Sequence, residues 1–399
     1  MIENGKFCVI GTGGAGCRII SHLAKAPGAE KLKLIAIDTD RNGLIESTLP
    51  AENCILAGEL WREGKGTGGN VIDGQRALSH ERKRIEDMMR DCKMLIICGG
   101  LGGGTASGGI PIIISCASNL HIPAVAMVSL PFAVEGGLRQ RTSEQAISNE
   151  IIKVADAVIP IPNDLLFAGL DPATPLAEAF RLADEEMARS VLALSTILCA
   201  GNLLSADFSD FSGLLWRKKS HCALGIGVID TATEDGEFTA EKAFAKLLES
   251  PLLGGASTLC DADAVIFTLT GGNDLSLADA QSVFTISSSH ISKKTTLLVG
   301  AAVEPEWQGK FQYTALAIKY EQEPIPSGRA SDRKKSRRNA QPEQEINGMV
   351  QQDLPLSEME FSRGIMEKTT PVRWNGIELD IPTYMRQNKV IDQGKNSVS

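Results

Sequence analysis

Short apolar, β-branched runs alternate with longer amphipathic stretches over residues 6 to about 170. This is the pattern of βαβ units on a parallel sheet, whose strands are buried on both faces and read as continuous apolar runs. Runs at 6–10, 33–38, 94–98, 123–129 and 157–161 predict such strands. A long helix is predicted over about 175–198, because Phe180, Ala183, Met187, Val191 and Leu194 recur at helical spacing. Further strands are predicted at 222–229, 263–270, 294–301 and 312–319, with a helix near 239–248 between the first two. Two sheets joined by one long helix is the simplest architecture with that order. Residues 326–356 then turn rich in Lys, Arg, Gln, Ser and Pro and lack aromatics, which predicts a disordered linker. Apolar positions return in 377–386.

Composition narrows the picture without naming an activity. The 399 residues allow two domains plus extras, at roughly 100–200 residues per domain. A formal net charge of −9 argues against a nucleic-acid binder working by bulk electrostatics. Nine cysteines form no CxxC pair, and Cys8, Cys98 and Cys199 sit in apolar runs, which predicts buried reduced thiols rather than disulfides or zinc. The five histidines show no metal-ligand spacing, and no segment approaches 18 uninterrupted apolar residues, so no membrane span is expected. The first residues lead straight into a strand without a signal peptide, and a soluble, cytoplasmic protein is expected. The basic run at 333–338 reads as a solvated segment.

Chemistry concentrates in Gly99-Gly100-Leu101-Gly102-Gly103-Gly104-Thr105-Ala106-Ser107-Gly108-Gly109, between the strand at 94–98 and a helix expected to start at Ile110. Seven glycines in eleven residues argue against a packing role, since each costs conformational entropy on ordering. They suit backbone N–H groups brought close to an anion at a helix N-terminus, with Thr105 and Ser107 adding hydroxyl donors. The loop reads as a phosphate cradle. It is not a Walker A, because no GxxxxGK[ST] occurs and Gly64-Lys65-Gly66 has the wrong spacing. At the end of the first strand, Gly11-Thr12-Gly13-Gly14-Ala15-Gly16 satisfies GxGxxG, and Asp38 or Asp40 lies near the spacing for a ribose contact. Alone, that motif leaves a nicotinamide-dependent oxidoreductase open. Such an enzyme needs one phosphate loop, however, and a third glycine-rich segment follows at 64–70.

Together these loops resemble the tubulin/FtsZ superfamily and, within it, the FtsZ family. Residues 102–108 are similar to GGGTG(S/T)G with Ala106 at the fourth glycine, whose added methyl either crowds the phosphates or stiffens the loop. The first loop resembles GxGGxGxN, with Arg18 in place of asparagine; Asp38-Thr39-Asp40 and Leu44 resemble NTDxxxL; and 64–71 resembles GxGxGxNP, with Val71 in place of proline. Residues 131–136 resemble PFxFEG, which implies that Glu135 contacts the ribose and Arg139 the terminal phosphate. Asn163 falls in a match to IPND, and 179–184 resemble AFxxAD. Phe180 and Asp184, four apart, share one helix face. A carboxylate there accepts from guanine N1–H and N2–H, a donor pair that adenine lacks. An aromatic ring one turn away stacks on the base, worth ~1–3 kcal/mol. The pair favours GTP over ATP.

The resemblance thus implies a site for GTP or GDP, with Mg²⁺, formed by Gly13, Gly14, Gly16, Arg18, Asp38, Gly68, Gly69, Asn70, Gly102, Gly103, Gly104, Thr105, Ala106, Ser107, Gly108, Glu135, Arg139, Asn163, Phe180 and Asp184. Residues 205–210 resemble the NxDxxD loop, which in that family reaches the nucleotide of the next subunit; Asp207 and Asp210 would polarise the attacking water. Ser205 replaces the loop's asparagine, which fits a slow GTPase, and Asp210 alternatively caps the following helix. Residues 379–386 resemble the D(I/V)PxFLR tail, implying that membrane-tethering and other division proteins dock at 377–387, without direct membrane insertion and without nucleic acid. The implied fold is α/β and tubulin/FtsZ-like: a Rossmann-like GTP-binding parallel-sheet domain (1–174), a long central helix (175–199), a second α+β domain (200–322), a disordered linker (323–374) and a short C-terminal motif (375–399). The implied role is a head-to-tail homopolymer at the division site. Alternatives are a tubulin-like filament for DNA segregation or cell shape, and a GTP-binding subunit that barely hydrolyses.

Overall fold

The computed structural model describes residues 6–321, apart from 168–169, 172, 200–212, 216–218 and 234–237, together with 373–374 and 377–378. Its strands are β1 (Phe7–Thr12), β2 (Leu32–Asp38), β3 (Cys54–Leu56), β4 (Met94–Gly100), β5 (Ala124–Leu130), β6 (Ala157–Pro162), β7 (Ser220–Asp230), β8 (Ala264–Gly271), β9 (Thr296–Val303) and β10 (Lys310–Tyr320). The helices up to the middle of the chain are α1 (Gly13–Leu23), α2 (Arg41–Glu46), α3 (Glu59–Arg62), α4 (Val71–His80), α5 (Arg82–Met89), α6 (Gly104–Asn119), α7 (Gly137–Gln145), α8 (Ile152–Val154), α9 (Asn163–Phe167) and the long α10 (Leu176–Cys199).

The strands join in the order β3-β2-β1-β4-β5-β6-β7-β10-β8-β9. From β3 to β6 every pairing is parallel. Strand order reverses between β1 and β4, and open α/β sheets gather their ligands at the C-terminal strand ends at such a switch point. Alternate residues bury on opposite faces. Phe7, Val9, Met94 and Ile96 pack with Ile19 and Leu23 of α1 and Val191 and Leu194 of α10. Cys8, Ile10, Leu95 and Ile97 pack with Leu78, Ile85, Ile110 and Ile113 of α4, α5 and α6. Each such aliphatic side chain contributes ~1.5–3 kcal/mol when fully buried, so helices on both faces hold the sheet. Beyond β7 a separate cluster joins Phe244, Leu247, Phe267, Val283 and Tyr313.

The two expected sheets are one. Strands β6 and β7 pair in parallel at Ala157↔Ser220 and Val158↔His221, whereas β7 and β10 pair antiparallel from Lys310↔Asp230 to Tyr320↔Ser220. The link is made by Ser220 and His221, polar residues upstream of the apolar run that predicts the strand at 222–229. Ser220 N–H donates to the Asp156 carbonyl at 3.1 Å, fastening the start of β7. Strand β3, unpredicted, is an edge of three residues beside Ala36–Asp38 of β2. Helix α6 starts at Gly104, inside the glycine run rather than at Ile110.

The chain divides into two units between Pro326 and Ser327. The described part of the second is an antiparallel pairing of Arg373–Trp374 with Ile377–Glu378; residues 379–387 of the expected docking tail lie outside the described residues. Cys8, Cys17, Cys92, Cys98, Cys116 and Cys222 are free and buried. Among the described residues no helix is long and apolar enough to cross a membrane.

Candidate functional site

At the switch point the chain turns from β1 directly into α1, and from β4 through three residues into α6. Gly13 makes the first turn with φ of 74°, a left-handed conformation that glycine adopts at little steric cost. Thr12 and Gly103, at the two N-caps, make no side-chain cap hydrogen bond, and neither first turn carries an acidic residue. The leading N–H groups of both helices are left for an outside acceptor, at the positive end of each helix dipole.

The glycine run also packs. A Cβ at Gly104 would lie 2.4 Å from the Asn70 carbonyl oxygen, and one at Gly108 2.1 Å from that of Val71. Helices α4 and α6 therefore approach backbone to backbone, which overturns the expectation that these glycines have no packing role. Of the seven glycines in 99–109, Gly103 alone would present a Cβ to open space, with nothing within 4 Å.

The helix termini border a cavity of about 350 Å³. Of the expected nucleotide-site residues, Gly13, Gly14, Arg18, Gly103, Gly104, Thr105, Ala106, Glu135, Arg139, Asn163, Phe180 and Asp184 line it. Thr12, Ala15, Gly100, Leu101, Ser129, Pro131, Ala183 and Met187, none of them among the expected nucleotide-site residues, complete the lining; of these only Ser129 and Met187 lie outside the sequence motifs. Ala183 and Met187 are expected only as the apolar face of the long helix, on which they follow Phe180. The Ala106 methyl is buried beside two glycines, 3.4 Å from where a Gly99 Cβ would lie and 3.7 Å from one at Gly13.

The other expected residues stand outside the cavity lining. Gly16 seats α1 on the sheet, since a Cβ there would lie 2.8 Å from the Cys98 carbonyl oxygen. Gly102 and Ser107 close the loop on itself, the Gly102 N–H donating to Ser107 Oγ at 3.0 Å. Asn70 caps α4, its Oδ1 accepting from the N–H groups of Ile72 at 3.0 Å and Asp73 at 3.3 Å. Val71 thereby holds the first helical position, where proline is favoured but not required. Gly68 and Gly69, both with positive φ, meet nothing within 4 Å and leave the third loop open-faced. Asp207, Asp210 and Ser205 lie outside the described residues.

Two groups of side chains shape the walls. Phe180 meets Phe132 and Phe167 edge to face, at centroid distances of 5.5 and 5.9 Å, while those two rings stack at 3.9 Å. This aromatic cluster fixes the Phe180 ring; Phe167 carried no motif signal. Nearby, Arg139 Nη1 donates to Glu135 Oε2 at 2.6 Å, and Glu135 Oε1 accepts from the Phe132 N–H at 2.9 Å. On the opposing helices, Arg18 Nε donates to Asp184 Oδ2 at 2.7 Å. Burial pushes the Asp184 carboxyl above its ordinary range, and the Arg18 guanidinium pulls it back.

Asp38, also expected in the nucleotide site, is buried and is not part of the cavity lining. Its Oδ1 accepts from the Thr39 N–H at 2.7 Å, and the Thr39 and Thr105 hydroxyls bond each other at 2.7 Å. Burial pushes its carboxyl up to about 6, against the opposing pull of the Thr39, Asp40 and Thr105 donors.

The chain is similar to known proteins in sequence and fold. Residues 6–171 match the model of the Tubulin/FtsZ family GTPase domain, and 225–320 that of the FtsZ family C-terminal domain. An empty FtsZ dimer from M. jannaschii is 30% identical, with 79% of this chain and 88% of that chain covered and a TM-score of 0.70. A GDP-bound CetZ1 monomer from Haloferax volcanii is 16% identical over 78% of this chain and 93% of that one, with a TM-score of 0.65. A GTPγS-bound CetZ2 protofilament from the same organism is 21% identical over 79% and 93%, with a TM-score of 0.62. The two CetZ likenesses concern the fold.

Proposed function

Because the chain belongs to the tubulin/FtsZ family of GTPase filament proteins, we propose that it is a GTP-dependent polymerising protein of cell division that hydrolyses GTP between successive subunits. The observation that carries this reading is the cavity at the switch point, which combines two uncapped helix N-termini with an aromatic ring and a buried carboxylate. The N–H groups of α1 and α6 receive the phosphates, and Gly103 leaves room for their approach. Asp184 accepts from guanine N1–H and N2–H, beside Phe180. Arg139 supplies positive charge to the terminal phosphate, and Glu135 an acceptor to the ribose.

Mg²⁺ accompanies the triphosphate and neutralises charge developing on it. Among the described residues no cluster of three or more His, Cys, Asp or Glu side chains could hold a metal; Mg²⁺ would be held by phosphate oxygens together with water. Water attack is assigned to Asp207 and Asp210 of the next subunit, on the match of 205–210 to the NxDxxD loop. Self-association is supported by large apolar side chains exposed on segments that follow the C-terminal ends of β2, β3 and β5. They are Ile45, Leu60, Ile72, Val134 and Leu138, with Leu60 fully exposed and Val134 at 90%. Exposed apolar surface around a ligand site marks an interaction face. The tail at 377–387 is assigned to division partners that tether the filament.

The experiment is GTP hydrolysis measured across protein concentration, with light scattering in parallel. Turnover that begins only above a critical concentration, together with filaments, is the expected result. Turnover proportional to protein at every concentration would place the complete active site within one subunit and sink the shared-site reading.

A further inference from the structure

The ten-stranded sheet is finished differently at its two ends. Strand β3, at one end, is three residues long, and its Cys54 carbonyl accepts from Arg84 Nη2 at 2.8 Å. Strand β9, at the other, runs for eight residues from Thr296 to Val303 with neither charge nor proline. Two bonds at its limits show which residues face β8. The Thr296 N–H donates to the Asp263 carbonyl and the Glu304 N–H to that of Gly271, both at 2.9 Å. Backbone groups alternate sides along a strand, so the N–H and C=O groups of Leu297, Val299, Ala301 and Val303 point outward. Among the described residues nothing bonds them there. A sheet edge is ordinarily made unreceptive by shortness, charge, proline or cover, because its unpaired groups template another strand.

This edge is complementary to itself. Antiparallel alignment of two copies about Gly300 sets Leu297 opposite Val303, and Val299 opposite Ala301, of the second copy. These are outward-facing residues, so each pair exchanges two hydrogen bonds. Gly300 then meets Gly300 at a non-hydrogen-bonded position, where Cα atoms come closest. Larger side chains meet smaller ones, Leu298 facing Ala302. Leu297 and Val299 already pack against the cluster of Phe267 and Tyr313, which the second copy would extend. Charge agrees with this orientation. Lys293 and Lys294 precede the strand, and Glu304 and Glu306 follow it. Glu304 is held by Lys31 at 2.9 Å, whereas Lys293, Lys294 and Glu306 are exposed and make no ion pair among the described residues. An antiparallel copy brings each basic end to an acidic end; a parallel one would set lysines beside lysines.

We propose that β9 is an interaction edge for a second copy of this chain, joined antiparallel about a two-fold axis through Gly300. The pairing does not involve the nucleotide cavity, none of whose lining residues comes from β9. On the polymer reading, each subunit of a filament carries one such edge, and weak pairings repeated along the length hold two filaments side by side.

The test is sedimentation velocity of the nucleotide-free full chain across protein concentration, at low ionic strength where screening is weakest. A concentration-dependent dimer is expected, with hydrogen exchange at the Val299 and Ala301 amides slowing as it forms. Lys294→Glu and Glu306→Lys should each weaken dimerisation, by roughly tenfold, since each sets like charges together at both ends of the join. Mixing the two variants sets opposite charges together again and should restore association, which a merely damaged fold would not do. A chain that stays monomeric at every concentration would overturn the proposal. So would a dimer indifferent to both substitutions, exchange at those amides unchanged on association, or a mixture no tighter than either variant alone.

Discussion

Replacing Asp38 by Asn should change how stability depends on pH, with a size set by the burial of one carboxyl. Asp38 is 3% exposed, and its carboxyl is pushed up to about 6 from an ordinary 3.8. An acid with a raised pKa is protonated more readily in the folded chain than in the unfolded one. Between about pH 4 and pH 6 the folded state therefore holds more protons, and stability falls as pH rises through that window, then levels off. A shift of two units, at about 1.4 kcal/mol each, amounts to about 3 kcal/mol. Asp38→Asn cannot titrate, so urea unfolding of both proteins at half-unit pH steps isolates this contribution; every other group is common to the two curves. Stability of the native chain relative to the variant should fall by about 3 kcal/mol from pH 4 to pH 7. A constant difference, or one that grows with pH, would refute the reasoning. It would mean that the Thr39, Asp40 and Thr105 donors stabilise the carboxylate by as much as burial penalises it, or by more.

Four further outcomes test other parts of the molecule. Gly108→Ala places a methyl 2.1 Å from the Val71 carbonyl oxygen, and should destabilise by ~1–3 kcal/mol or more, read as a lowered thermal midpoint. Asp184→Ala should erode the preference for GTP over ATP, measured by competition binding; unchanged discrimination would remove its assignment. Asp210→Ala should bind GTP and assemble normally by light scattering while phosphate release nearly stops. Deleting 376–399 should leave polymerisation intact and abolish co-sedimentation of the filament with its tethering partners.

Much of the fold was legible because parallel strands buried on both faces are apolar throughout, as in the runs that became β1, β2, β4, β5 and β6. What was not legible has specific causes. Three residues of β3 are too few for any periodicity, and Ser220 and His221 extend β7 through backbone bonds to β6 that a polar side chain does not announce. Helix α6 starts at Gly104, before the expected Ile110, because the poor helix propensity of Gly104, Gly108 and Gly109 conceals its first turns. In the site, motif spacing located Phe180 and Asp184 together, since four residues on a helix is a local relation. Their neighbours across the chain were invisible to it. Phe167 beside Phe180, and the bond from Arg18 to Asp184, are products of tertiary packing between segments distant in sequence.

The glycine run has a consequence for protein engineering. Most of its positions couple ligand affinity to folding, because a side chain at 104 or 108 would strike the backbone of α4 before it altered anything at the cavity. Gly103 is different. Its φ of −91° and ψ of 169° suit any amino acid, and a side chain there would enter open space at the cavity wall. On the proposed function, serine, alanine or valine at position 103 should lower nucleotide affinity by degrees while meeting no clash in the folded chain.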